Sequence, residues 1–265
     1  MGGLHKAHVS NPSGRYRILD VGYGTGAWLY DMLDEYPNAQ LVGIDMAPTE
    51  EENPRPGRDI RFVAHVDFTQ NDWGLREGSF DLVRMSQLCG SVPDWQRLCT
   101  NAWRYLAPGT GRLELCEIDW EPCCDDGTLS SDPNAPMNLW WRTICDATER
   151  TGRPIAYPQG IASLLERIGF EIEVVDSVRL QTWEDMGIAD DARPNHVARW
   201  FLTTMGRTTH DCQRLGELGD IRAYSGMSMA LFTQVAGWSA EDVERLQEGM
   251  YQEITDRNIH FYQRL

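Results

Sequence analysis

The feature that most constrains this chain is a short unit of alternating elements at residues 17–44. It begins with the apolar run RILDV at 17–21, passes through the glycine-rich stretch GYGTG at 22–26 and an amphipathic segment at 27–36, and ends in QLVGI at 40–44. A strand, a glycine turn, a helix and a second strand in so few residues form a crossover between parallel strands. The unit therefore predicts the start of an α/β fold with a doubly wound sheet.

The same alternation continues along most of the chain. The apolar patterns predict five further strands, at 60–66, 80–85, 112–118, 170–176 and 259–265, and helices at 94–106, 160–168, 197–205, 224–236 and 239–257. Seven strands in a mostly parallel sheet form a Rossmann-like arrangement. We expect a single domain over residues 1–265, with its core at about 15–178 and 258–265 and a helical lid at about 180–257.

Composition disfavours several classes of partner. With 40 acidic and 24 basic residues the chain has a formal net charge of −16, which repels nucleic acid and anionic membrane surfaces. No apolar run approaches the ~18 residues that span a bilayer, and no signal-peptide pattern opens the chain, so we expect a cytoplasmic protein. The seven cysteines are odd in number and include no C-x-x-C motif, which predicts reduced thiols and no metal site.

The glycine loop is compatible with two kinds of cofactor. Read from Gly22, it matches the G-x-G-x-x-A pattern of dinucleotide sites and the G-x-G-x-G pattern of S-adenosylmethionine (SAM) sites. Asp20 stands two positions before Gly22. A carboxylate there repels the pyrophosphate of a nicotinamide dinucleotide and attracts SAM, which has no phosphate and carries an ammonium and a sulfonium. Asp20 therefore favours SAM.

Two more acidic residues follow predicted strands. Asp45 ends the second strand and can accept hydrogen bonds from ribose hydroxyls, a role that both cofactor classes share. Asp67 follows the third strand and can accept from an adenine amino group, with Phe68 as an apolar wall. Acids at the ends of three successive strands predict an adenosine-containing cofactor. The alternative is that these acids are there only because strand ends are exposed to solvent.

Longer motifs extend over nearly the whole chain. They are DVGYGTGAW at 20–28, YPNAQLVGIDMAP at 36–48, FDLVRMSQLCGSVPDW at 80–95, LAPGTGRLELCEIDW at 106–120, DDGTL at 125–129 and GWSAEDV at 237–243. With this combination the chain resembles the LaeA-like class I SAM-dependent methyltransferases of fungal secondary metabolism. Arg84 and Ser86 depart from the pattern, because the family usually has histidine and arginine there.

The resemblance implies a SAM site at the carboxyl ends of the strands. By that resemblance the glycine loop would hold the methionine part of SAM, Asp45 the ribose, and Asp67 and Phe68 the adenine. The full set of predicted cofactor-binding residues is Asp20, Gly22, Tyr23, Gly24, Gly26, Asp45, Met46, Asp67, Phe68, Met85, Ser86 and Gln87. For Tyr23 an alternative stays open, because this bulky side chain can instead pack on a neighbouring helix.

The catalytic residues are less constrained. Methyl transfer from a sulfonium needs alignment and desolvation, and a base only where the acceptor must lose a proton. His196, in RPNHVARW, is our first candidate base, since a half-buried histidine titrates near neutral pH. Glu117 and Asp119 follow the fifth predicted strand, where they either orient an acceptor hydroxyl or form a solvated acidic turn. Trp120 and Trp140 either stack on an aromatic acceptor or pack in the core.

The sequence thus favours a SAM-dependent methyltransferase that acts on a small secondary metabolite. An aromatic or polyketide-like acceptor is preferred, with O-methylation as the chemistry. One alternative is a protein that binds SAM without methyl transfer, as a cyclase, a pericyclase or a regulatory subunit. A further alternative is a NAD-dependent oxidoreductase. We expect a small-molecule substrate, and neither nucleic acid nor membrane as a partner.

Overall fold

The computed structural model describes His5, Ala7 and residues 15–47, 58–181 and 222–265. The chain divides into two units of similar size. Unit 1 comprises Met1–Leu88, Val92–Glu117 and Pro158–Val175, and unit 2 comprises Cys89–Ser91, Ile118–Tyr157 and Asp176–Leu265. The organisation as one domain with a helical lid stays a prediction. The helix predicted at 197–205 lies outside the described residues.

Unit 1 contains a parallel sheet with the strand order β3-β2-β1-β4-β5. Its strands are β1 (Arg17–Val21), β2 (Gln40–Ile44), β3 (Ile60–Val63), β4 (Leu82–Ser86) and β5 (Arg112–Cys116), and all neighbouring pairs are parallel. The strand order reverses between β1 and β4. In open α/β sheets ligands bind outside the carboxyl ends of the strands at such a reversal, so this edge of the sheet is the expected site.

The described residues contain helices α1 (Ala27–Glu35), α2 (Trp95–Tyr105), α3 (Pro136–Arg150), α4 (Ile161–Ile168), α5 (Arg222–Gln234) and α6 (Ala240–Thr255). Helix α1 of unit 1 buries Leu29, Met32 and Leu33, whose spacing puts them on one face. Asp94 begins α2, because its side chain accepts a hydrogen bond from Arg97 N at 3.0 Å. None of the helices in the described ranges is long and apolar enough to cross a membrane.

Unit 2 contains a three-stranded antiparallel sheet with the order β6-β8-β7, made of β6 (Asp119–Cys123), β7 (Arg179–Gln181) and β8 (Tyr262–Arg264). Trp120 and Trp140 are 6% and 0% exposed in the core of this unit, which confirms the packing alternative for both. Trp140 Nε1 donates to Ser228 Oγ at 2.8 Å. Helix α6 begins with a capping box, in which Ser239 and Asp242 each accept a hydrogen bond from the other's backbone N–H.

Most predicted elements are confirmed within a few residues, including the first five strands, the last strand and five helices. The strand predicted at 170–176 is wrong. This segment lies outside every strand, and Val174 and Val175 are 62% and 78% exposed. Alternating residues form a strand only where a neighbouring strand supplies backbone hydrogen bonds. The described strands form one sheet of five and one of three, instead of the expected sheet of seven, and α3, β6 and β7 were not predicted.

Candidate cofactor site

The loop between β1 and α1 turns sharply through three glycines. Gly22, Gly24 and Gly26 have φ angles of 74°, 54° and 76°, in the left-handed region that residues with a Cβ disfavour. A Cβ on Gly22 would lie 2.6 Å from Leu88 Cδ2 and one on Gly26 would lie 2.7 Å from Phe62 Cε1, whereas one on Gly24 would meet no atom within 4 Å. The first and third glycines therefore permit close packing, and Gly24 leaves one face of the loop open.

Asp45 joins the glycine loop to the end of β2. Its Oδ2 accepts a hydrogen bond from Gly24 N at 2.9 Å, and its Oδ1 accepts one from Ala47 N at 3.0 Å. The loop is also tied to β2 through its backbone, because Gly22 N donates to Ile44 O at 2.8 Å. Each carboxylate oxygen has a further lone pair. Asp45 is thus held beside the open part of the loop and can still accept from ribose hydroxyls.

The segment after β3 reaches the same loop. Phe68 is 8% exposed, and its Cε1 lies 3.6 Å from the Cβ position of Gly22. The Asp67 carboxylate caps a local turn: Oδ1 accepts from Thr69 N at 3.0 Å and from Thr69 Oγ1 at 2.6 Å, and Oδ2 accepts from Gln70 Nε2 at 3.1 Å. The structure therefore brings Phe68 to the glycine loop. A contact between Asp67 and an adenine stays a prediction.

The segment after β4 has an unusual backbone at Gln87. This residue has a φ of 55°, and non-glycine residues in that region cluster at functional sites, where the surrounding structure must hold them. Gln87 N donates to Cys116 O at 3.0 Å, and Leu88 N donates to Glu117 Oε1 at 2.9 Å. Leu88 is 4% exposed and approaches Gly22 most closely. Sequence reasoning missed Leu88, although its place just beyond β4 was an available signal.

Asp20 is engaged inside unit 1. It is 1% exposed, and its Oδ1 accepts a hydrogen bond from Arg84 Nη1 at 3.1 Å. The Arg84 Cζ lies 4.5 Å from the centre of the Trp28 ring, which is a cation–π contact. Burial raises the pKa of Asp20 to about 6, and the nearby Arg84 opposes that shift. Contact of Asp20 with a cofactor ammonium stays a prediction, while the partner that the structure shows is Arg84.

The other predicted cofactor residues lie at different depths. Tyr23 is 5% exposed, and its ring centre lies 5.0 Å from that of Phe62. The side chain is therefore packed, but this ring partner lies on β3, where the alternative named a helix. Met46 is 53% exposed and Met85 is fully buried. Ser86 is half-buried at the end of β4. Cofactor contacts of these four side chains stay predictions.

The predicted catalytic residues fall in three parts of the chain. Glu117 lies in unit 1 and Asp119 in unit 2, and their exposures of 5% and 8% contradict the solvated acidic turn. Glu117 accepts from a backbone N–H, as described above. Asp119 is the first residue of β6, and its Oδ2 accepts from Arg264 Nη2 at 2.7 Å. His196 lies outside the described residues, so its role stays a prediction.

The residues of unit 1 fit an adenosine cofactor of the SAM type. Residues from the segments after β1, β2, β3 and β4 converge on the glycine loop through the contacts of Asp45, Phe68 and Leu88. The open side of the loop at Gly24 lies beside a carboxylate that has spare acceptor capacity. Apolar side chains and one carboxylate at a glycine turn are what a nucleoside requires.

Comparison with known proteins agrees with this geometry. The family model described as a methyltransferase domain matches residues 5–175. The chain is 36% identical to the secondary metabolism regulator LAE1 of Cochliobolus heterostrophus, over 98% of this chain and 78% of that protein. It is 31% identical to the protein-methionine methyltransferase LaeA of Emericella nidulans, over 93% of this chain and 59% of that protein.

The relatives differ from this chain in length, and the solved structures are more distant. The chain spans about 60% of the length of several LaeA regulators. Phosphoethanolamine N-methyltransferase 2 of Haemonchus contortus, solved in complex with SAM, aligns with a TM-score of 0.47 and 15% identity, over 94% of this chain and 47% of that chain.

Proposed function

The chain belongs to the methyltransferase-domain family as a LaeA-like member, and we propose that it transfers a methyl group from SAM to an oxygen of a small metabolite with aromatic or polyketide-like character. Family membership confirms the predicted resemblance, the mostly parallel α/β fold class and SAM as the cofactor. The NAD-dependent alternative is therefore set aside. Several relatives are longer than this chain, so the first candidate acceptor is argued from the residues of this chain alone.

One observation supports an acceptor that needs little help from a base. Three buried carboxylates at the end of β1, after β5 and at the start of β6 already accept hydrogen bonds from the protein: Asp20 from Arg84, Glu117 from Leu88 N, and Asp119 from Arg264. Because each of them has a donor within the protein, none of the described contacts positions one of them as the base for an acceptor proton. Phenols lose their proton more readily than alcohols do, since a phenol such as tyrosine has a pKa of about 10. A phenolic oxygen is therefore the acceptor that these residues suit.

The roles of the chain's own residues follow from the site. When bound, SAM supplies a methyl group on a sulfonium, which is already a good leaving group. The glycine loop and Asp45 hold the nucleoside end, and the buried Phe68 and Leu88 exclude water from the loop. Alignment and desolvation of this kind are the main contributions that a methyltransferase makes to the rate. We assign His196 as the first candidate for removal of the acceptor proton.

A second candidate acceptor is the thioether of a methionine in a protein. The relative from Emericella nidulans is named a protein-methionine methyltransferase. A thioether carries no proton and requires no base, so it agrees equally well with carboxylates that are already engaged. The two candidates differ in where the methyl group is found after the reaction.

The test is a labelling experiment with methyl-labelled SAM. The purified chain is incubated with a panel of phenolic and polyketide-like compounds, and the small molecules are then separated from protein and weighed by mass spectrometry. We expect a gain of one methyl group in a small molecule. Label in a methionine of the protein fraction alone would favour the second candidate. Product formed without a gain of methyl mass, or SAM bound without any transfer, would instead support a cyclase or a regulatory subunit.

A matched pair of variants controls this experiment. Asp45→Ala removes the carboxylate that holds the glycine loop at the carboxyl edge of the sheet, and we expect it to abolish labelling. Asp59→Ala removes an acid just before β3, at the opposite edge, where it pairs with Arg15 at 3.2 Å. We expect Asp59→Ala to retain labelling. Equal loss in both variants would show that general destabilisation, and not the cofactor site, causes the effect.

A further inference from the structure

Arg84 occupies a position that neither the glycine loop nor the acceptor chemistry explains. It is the register partner of Asp20 on the neighbouring strand, with the two side chains joined at 3.1 Å. The Asp20 side chain is 2% exposed and that of Arg84 is 17% exposed. A guanidinium in so little water, beside a carboxylate and over the Trp28 ring, interacts more strongly than a surface ion pair does.

The guanidinium has donor capacity left after these contacts. Arg84 Nε is buried and has no hydrogen-bond partner among the described residues. The positive charge also reaches the end of β5, where it opposes the effect of burial on the pKa of Cys116. Arg84 therefore acts as a local source of positive charge at this edge of the sheet and not only as the partner of one carboxylate.

The consequence is an electrostatic one. Asp20 precedes the glycine loop by two residues, and alone it would give the loop a buried negative charge. Arg84 cancels that charge from within the same sheet. SAM and its demethylated product, S-adenosylhomocysteine, differ by one positive charge at sulfur, so the net charge of the surrounding residues decides how differently the two bind.

We propose that Arg84 is a specificity-determining residue of the cofactor site, which neutralises Asp20 and so keeps the affinities for SAM and S-adenosylhomocysteine close to each other. This inference rests on SAM binding at the glycine loop and is independent of the acceptor proposed above.

The test measures dissociation constants by calorimetry, for both compounds and at pH 7 and pH 9. For the wild-type chain we expect the two constants to lie within about threefold at both pH values, since Arg84 balances the charge of Asp20. Burial raises the pKa of Asp20 and Arg84 opposes that shift, so in Arg84→Met the carboxyl group holds its proton more tightly. The preference for SAM therefore rises with pH in this variant, by about tenfold where Asp20 is fully ionised, the effect of one unit charge in a partly screened site. Arg84→Lys retains the charge without the planar fork, and its preference stays within about twofold of the wild type.

A second arginine of the same sheet provides a matched control. Arg17, at the start of β1, also lies over an aromatic ring, with its Cζ 5.1 Å from the centre of the Phe80 ring, and its Nε donates to Gln40 Oε1 at 2.7 Å. It stands at the amino edge of the sheet. Arg17→Met therefore removes a charge and a ring contact of the same kind, and we expect it to leave the ratio of the two constants unchanged.

Several results would overturn the proposal. An unchanged ratio in Arg84→Met, or an equal change in Arg84→Met and Arg84→Lys, would show that Arg84 acts through packing and not through its charge. If Arg84→Met does not give a cooperative melting curve, Arg84→Gln serves as the neutral variant with the same expected ratio. Failure of the wild-type chain to bind either compound would remove the basis of this inference, whereas intact binding without methyl transfer would contradict only the proposed function.

Discussion

Replacement of Gly22 by alanine tests the packing of the glycine loop most directly. The residue has a φ of 74°, and a Cβ there would lie 2.6 Å from Leu88 Cδ2 and 3.6 Å from Phe68 Cε1. Gly24 is a natural control, because its φ of 54° is also left-handed but a Cβ there would meet no atom within 4 Å. The two substitutions therefore share the backbone strain and differ in the steric contact.

The expected magnitudes follow from this difference. Left-handed backbone costs a residue with a Cβ about 1–2 kcal/mol, and this is the whole effect expected for Gly24→Ala. Gly22→Ala adds an overpacking cost of about 1–2 kcal/mol, because Leu88 is 4% exposed and has little room to move. We thus expect a total loss of about 2–4 kcal/mol in the free energy of unfolding for Gly22→Ala.

Denaturant unfolding of both variants measures these losses, and calorimetry measures SAM binding. The double variant with Leu88→Ala relieves the contact, so it should recover part of the loss in Gly22→Ala and nothing in Gly24→Ala. SAM binding should weaken in Gly22→Ala, because the displaced Leu88 also moves the turn after β4. Equal losses in the two single variants, or no recovery in the double variant, would refute the role assigned to the contact.

Three further predictions concern capping and pH. Ser239→Ala removes the capping box of α6 and should lower the free energy of unfolding by about 1 kcal/mol, measured by denaturant. The hydrogen bond to Asp126 raises the pKa of His260 above 6.5. The stabilisation that His260 provides is therefore complete below pH 6.5 and is lost as pH rises through the raised pKa. An NMR titration of His260 measures the pKa, and melting temperatures of His260→Asn at successive pH values measure the stabilisation. Burial raises the pKa of Asp20 from 3.8 to about 6, so its contribution to the free energy of unfolding is complete below about pH 3.8 and is lost as pH rises through about 6. In Asp20→Asn the free energy of unfolding, measured by denaturant at successive pH values, should depend less on pH over this range.

The elements that sequence predicted correctly are those whose signals are local. An apolar run followed by glycines and an amphipathic segment specifies strand, turn and helix without reference to the rest of the chain. The helices predicted from 94 and from 239 each begin one residue later, with Asp94 and Ser239 as their capping residues. The segment 170–176 shows where this reasoning ends. Its alternation is typical of a strand, but no described strand pairs with it, and pairing depends on residues far away in sequence.

The candidate site divides in the same way. The sequence by itself determined that a glycine loop follows β1, that Asp20 lies near the end of β1 and that Asp45 follows β2, because those positions depend on neighbours in the chain. Only the tertiary structure decided that Asp20 faces Arg84, 64 residues away, and that Leu88 and Phe68 meet at Gly22. These contacts arise from the register of parallel strands and from side-chain packing, which bring together residues that no local pattern connects.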